Sequence, residues 1–273
     1  MVKQTLKWVF LIFFVAGCIP DPGGKSIFNS EMSEIREYGD SNSTLKALVI
    51  GNSFYEYQQL KNPMNDARAM SNQLVAMGFH VIRAMNVDYE NMRKAVKKFG
   101  KHLSQTSYGS VGLLYFSGHG AQVAGRNFLI PTNNGKIWQA ENLKTMAIDA
   151  QNTLAMMKEN NKGMNFLILD ACRDNPYKGS EKNVIRGLTR MKKPMGAFIG
   201  YATASGKTAT DSPNDDHGIY TKYLLKALKT AQHKRIEDVF MEVENTVFKE
   251  TNEEQEPWHE ASLRMPFCFG GCL

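Results

Sequence analysis

Residues 111–120 read VGLLYFSGHG and residues 166–176 read FLILDACRDNP. Each is a short apolar run that ends abruptly in polar residues. Such runs read as strands buried on both faces, the pattern of a parallel sheet rather than of a half-exposed one. Working outward, LKALVI at 45–50 is a third run of this kind and stops at Gly51-Asn52-Ser53. Asn62-Pro63 then opens a helix with Ala67, Met70, Leu74 and Met77 at helical spacing, closed by Gly78. A strand over 79–85 follows, and Asp88 is placed to cap a helix to Leu103 with Met92, Val96 and Phe99 on one face. After a short excursion at 128–131, Asp149 caps a helix over 150–157. The chain closes with a strand over 197–202 and helices over 219–230 and 235–249. Strand–helix alternation with nearly continuous apolar strands predicts an α/β fold, a parallel sheet with helices on both faces. Sites in such sheets form at the carboxyl ends of strands, where Ser53, His119, Cys172 and Thr203 all fall.

Composition narrows the class. The 273 residues are 42% hydrophobic with nine prolines, which excludes a disordered or fibrous chain. Four cysteines exclude a dense disulfide framework. The net charge of +6 raises nucleic acid or an anionic membrane as partner. The basic residues concentrate in one stretch, 177–194, with Lys178, Lys182, Arg186, Arg190, Lys192 and Lys193. That stretch reads as a loop, so no nucleic-acid partner is expected. A nucleotide-binding reading fails because no glycine-rich phosphate loop follows the first strand.

The chain begins MVKQTLKWVFLIFFVAGC, with Lys3 and Lys7 ahead of a short apolar run and small residues. This is the layout of a secretory signal over 1–17, and VAGC resembles a bacterial lipobox. The resemblance implies cleavage before Cys18 and lipid on its sulfur, hence an exported lipoprotein on the periplasmic side of the envelope. Ile19 after the cysteine favours the outer membrane. A plain signal peptide or an uncleaved anchor is the alternative. Residues 18–44, with Pro20, Pro22, Gly23 and Gly24, read as a flexible tether to a domain over 45–267 and a tail over 268–273.

His119 between two glycines, followed 53 residues later by Cys172, is the pair that carries chemistry. An imidazole near a thiol can leave the thiolate that attacks carbonyl carbon. Either residue alone would read as structural. Together with KALVIGNSFY (46–55), LKNPMNDA (60–67), NFLIPTN (127–133), FIGYATASG (198–206) and EPWHEASL (256–263), in order, they make the chain resemble the caspase superfamily, most closely its paracaspase and bacterial caspase-like branch. The resemblance implies a three-layer sandwich around a mostly parallel six-stranded sheet. It implies Cys172 as nucleophile, His119 as general acid/base, and the N–H groups of Gly120 and Cys172 as oxyanion hole, with no third triad member. It further implies acidic groups in the specificity pocket, here Asp66, Asp170 and Asp211. Three carboxylates in one pocket would repel acidic side chains and attract Arg, then Lys, in protein or peptide substrates. Each has a plainer reading: a helix-dipole charge, a turn cap and a solvated loop charge, respectively.

The competing function is a catalytically silent caspase-like scaffold that binds peptides at a membrane. The 177–194 loop is either an ordinary solvated loop or a site of self-cleavage. Cys268 and Cys272 either close a terminal disulfide or remain two thiols. No cofactor and no obligatory metal are expected.

Overall fold

Two largely apolar strands decide the centre of the molecule. β4 (Val111–Val123) and β7 (Met164–Cys172) pair in parallel from Val111 opposite Met164 to His119 opposite Cys172. The computed structural model describes residues 33–172, 188–204 and 215–273. The other strands are β1 (Glu34–Tyr38), β2 (Leu45–Gly51), β3 (His80–Met85), β5 (Arg126–Leu129), β6 (Ile148–Asp149), β8 (Ala197–Tyr201) and β9 (Trp258–Ala261). The helices are α1 (Pro63–Ala76), α2 (Tyr89–Ser104), α3 (Ala140–Met146), α4 (Ala150–Asn160), α5 (Ile219–Lys229) and α6 (Ile236–Glu250).

The main sheet runs β1-β3-β2-β4-β7-β8-β9. Its five inner strands are parallel, and β1 and β9 close the edges antiparallel. Alternate side chains feed two cores, which is why the strands read as unbroken apolar runs. Val49, Leu113, Tyr115, Phe166, Ile168 and Phe198 meet Met70 and Leu74 of α1, Leu224 of α5, and Phe240 and Val243 of α6. Leu48, Ile50, Leu114, Phe116, Leu167 and Ile199 meet Met92, Phe99 and Leu103 of α2 and Leu154 and Met157 of α4. The result is the expected α/β three-layer arrangement. Two caps read from sequence are formed: Asp88 accepts from Asn91 N–H at 2.8 Å, and Asp149 from Asn152 N–H at 2.9 Å.

Three expectations change. The sheet path has seven strands rather than six, and the addition lies inside the supposed tether: residues 34–38 form β1 on β3. EIREY carries only a one-sided, half-exposed pattern, so a polar edge strand left no apolar signal. The run at 111–120, which reads as ending at its polar residues, does not end there: β4 continues through Ser117–Gly120 to Val123. Beyond the main sheet β4 turns back at Ala124-Gly125, both with positive φ, into a hairpin with β5. Finally, the 268–273 segment is no free tail. Cys268 and Cys272 form a disulfide with Cα atoms 4.9 Å apart, Phe269 is buried, and Phe269 O accepts from His233 N–H at 2.8 Å. Positive φ at Gly270 and Gly271 lets the chain close that turn.

Phe198 is fully buried and packs edge-on against Phe166 and Phe240. Phe198→Ala is expected to lower unfolding free energy by about 3–5 kcal/mol, read from urea titration by circular dichroism.

Candidate active site

The β4–β7 register brings His119 and Cys172 to adjacent positions at the carboxyl end of the sheet. His119 is fully buried. Its Nε2 lies 2.6 Å from the carbonyl of Gln58. A carbonyl only accepts, so Nε2 carries the proton and the lone pair of the neutral ring is on Nδ1. Its backbone N–H donates to Tyr55 Oη at 2.8 Å, and Tyr55 Oη donates in turn to Ile130 O at 3.2 Å. The Tyr55 ring covers the imidazole at 4.3 Å between centroids. Gly118 makes this possible, because a Cβ there would stand 2.4 Å from Tyr55 Oη. Gln58 has φ 59°, a left-handed conformation uncommon for a side-chain-bearing residue. Local backbone strain thus accompanies the carbonyl that holds the histidine.

Two of the three predicted acidic residues converge near the same strand ends. Asp66 sits in the first turn of α1 and Asp170 two residues before Cys172. Both are buried. Ser117, the ladder neighbour of Asp170, donates to Asp66 Oδ2 at 3.3 Å. Thr221 of α5 donates to Asp170 Oδ2 at 2.5 Å and contacts the Tyr115 hydroxyl. One oxygen of each carboxylate lies within 3.5 Å of where a Cβ on Gly218 would stand, so both face one space.

His217 Nδ1 is 2.9 Å from Asp66 Oδ1. Burial pushes the Asp66 carboxyl above the usual carboxylate range, against the pull of His217. The hydrogen bond to Asp66 raises the His217 imidazole, with Asp215 and Asp216 adding to it. Burial first, then the two aspartates, holds the Tyr115 phenol far above its ordinary value; Tyr220 is raised by burial and then Asp170. The two carboxylates thus share a desolvated space, with His217 beside Asp66.

Asp211, Cys18 and the 1–17 signal lie outside the described residues, as does 177–187 of the basic loop. The rest of that loop is not simply solvated. Leu188 and Met191 are buried, Thr189 is bonded on both backbone groups to Asn127, and Arg190 pairs with Glu260. Sequence reasoning missed Tyr55, Gln58, Ser117, His217 and Thr221. Tyr55 closes the KALVIGNSFY stretch and so carried a signal. Gln58 acts through its carbonyl, and His217 pairs with a residue 151 positions away, so neither left one. Among the described residues no helix is long and apolar enough to cross a membrane.

Fold and site together define a caspase-type peptidase domain. A family model described as Caspase domain matches residues 44–268, and the chain belongs to that family. It is 33% identical over 186 residues to the human "Mucosa-associated lymphoid tissue lymphoma translocation protein 1". It is 32% identical to that protein's homolog in Mus musculus. The match takes in 67% of this chain but spans only 21% of either relative.

Tyr55→Phe removes the acceptor of the buried His119 N–H. Leaving such a donor unsatisfied costs about 1–3 kcal/mol, so kcat on a cleavable peptide should fall roughly 5- to 160-fold with KM little changed. An unaltered kcat would remove Tyr55 from the positioning of His119.

Proposed function

We propose that this chain is an endopeptidase that cleaves after Arg, and less readily after Lys, through an acyl-enzyme on Cys172. The observation that carries the reading is the convergence of Asp66 and Asp170 on one buried space beside the strand ends bearing His119 and Cys172. A guanidinium there would exchange water for charge-assisted bonds to fixed carboxylates, whereas an acidic side chain would meet repulsion in a medium of low dielectric. Arg matches a carboxylate with paired donors; Lys offers a single point charge. Asp211 joins the pocket on the strength of the family resemblance.

In the reaction His119 Nδ1 takes the proton of the Cys172 thiol, and the thiolate attacks the substrate carbonyl carbon to form the S–C bond. The N–H groups of Gly120 and Cys172 stabilise the oxyanion. His119 delivers a proton to the amine as the C–N bond breaks. Water, deprotonated by His119, then attacks the thioester, and the carboxylate product leaves as the thiol is restored. The tautomer fixed by Gln58 suits this cycle, since Nδ1 accepts a proton while Nε2 stays anchored. Export and a lipid on Cys18 would hold the enzyme on the periplasmic side of a bacterial envelope, presented to protein or peptide substrates. Labelled palmitate appearing on wild type but not on Cys18→Ala is the expected outcome.

Fluorogenic peptides ending in Arg, Lys and Asp test the specificity. Cleavage after Arg, abolished by Cys172→Ala and reduced roughly 30- to 100-fold in kcat/KM by Asp170→Asn, is expected. Cleavage after Asp would overturn the charge argument. Labelling by no Arg-directed electrophile, with no cleavage, would leave the scaffold reading.

The His217–Asp66 pair adds a pH dependence. Protonated His217 competes with the incoming guanidinium for Asp66, and its raised pKa extends that competition above the ordinary histidine range. KM for Arg peptides should therefore fall as pH rises through the His217 titration, and His217→Ala should flatten that fall. Stability runs the other way. The His217 contribution is fully present below its unfolded value and is lost as pH rises through the raised folded one.

A further inference from the structure

At the opposite end of the sheet, three side chains from three elements meet. Glu37 on β1, His80 at the start of β3 and His102 in the last turn of α2 each direct one ligand-type atom into a common space. These atoms all lie within 4.8 Å of one another. Glu37 Oε2 is 3.1 Å from His80 Nε2 and 3.7 Å from His102 Nε2. The two rings stack at 5.1 Å with 26° between their planes, so both imidazole edges present Nε2 to one carboxylate oxygen. Around a tetrahedral zinc ion, with bonds of 2.0–2.2 Å, neighbouring ligand atoms stand about 3.3–3.5 Å apart. The two carboxylate–imidazole separations bracket that value.

We propose that Glu37, His80 and His102 form a transition-metal site, best suited to Zn²⁺, that fastens the edge strand β1 to β3 and α2. Two imidazoles and one carboxylate leave a fourth position for water, a donor set that suits zinc and not calcium or magnesium. His80 is buried, its Nε2 faces Glu37 Oε2, and its Nδ1 has no hydrogen-bond partner among the described residues. Lys98 pairs with Glu37 Oε1, the oxygen turned away from the histidines, and it is the cation a metal must compete with. Lys46 is held elsewhere, donating to Ser41 O at 2.6 Å. The cluster lies at the amino ends of the parallel strands and the His119–Cys172 pair at their carboxyl ends. Its role is therefore structural. It would tie down the first described strand, whose ladder to β3 is the sole strand pairing β1 makes among the described residues.

The test uses the full chain carrying Cys172→Ala, so that the nucleophile cannot act as a zinc ligand. Zn²⁺ is titrated by calorimetry, and Co²⁺ by the visible absorption of tetrahedral cobalt. Expected are a single saturable site, a rise in thermal midpoint with Zn²⁺, and binding at least about tenfold weaker in Glu37→Gln and in His102→Ala. His80→Ala removes a buried ring and serves only if its metal-free thermal midpoint matches the parent. Lys98→Met should bind more tightly, and His233→Ala, a histidine outside the cluster, should bind as the parent does. Equal affinity in the parent, Glu37→Gln and His102→Ala, or no binding to the parent, would overturn the proposal.

Discussion

The register of β4 against β7 is the constraint on which the rest depends. Nine consecutive pairings carry it from Val111–Met164 to His119–Cys172, and the Ser117–Asp170 and His119–Cys172 positions inherit their places from the apolar ones before them. A slip of one residue would turn Leu113, Tyr115, Phe166 and Ile168 toward the wrong helix layer. The same slip would separate Ser117 from Asp170 and His119 from Cys172. Core packing and site assembly are thus one requirement: burial of the strands on both faces is what makes the register unique.

The second constraint is electrostatic. Two carboxylates removed from water need compensation, and the two receive it differently. Asp170 accepts from the Thr221 hydroxyl, which is linked to Tyr115. Asp66 accepts from Ser117 and faces His217, a group able to carry positive charge. Tyr115 and Tyr220 stay protonated in this field and cannot add to the negative charge. An Arg side chain bound as proposed would meet acceptors whose desolvation has already occurred during folding. Under that proposal part of the cost of recognition would already be met in the free protein, which is how preorganised sites gain selectivity.

How much of this was legible follows from how local each signal was. The strands at 45–50, 111–116 and 166–169 and both aspartate caps announce themselves within a few residues, and they recur in the structure. β1 was hidden because EIREY is polar and pairs along one edge only. The extension of β4 was hidden because Ser-Gly-His-Gly carries turn chemistry, whereas here Gly118 serves the approach of Tyr55. His119, Cys172 and Asp170 were legible as residue types at strand ends. Gln58 was not, since a backbone carbonyl has no sequence identity, and the His217–Asp66 pair joins the two ends of the domain.

The support of His119 also bears on where activity can be controlled. The imidazole is held by Gln58 O, its backbone N–H by Tyr55, and its carbonyl by Ile130 N–H at 3.0 Å. All three partners belong to 55–58 and to the segment after β5, both anchored in the body of the domain. A nick between 177 and 187 would break none of these contacts. Beyond that segment, Thr189 is locked to Asn127 and Arg190 to Glu260, which makes the backbone there a poor fit for an extended substrate cleft. Cleavage within the basic loop would therefore leave these three supports of His119 in place.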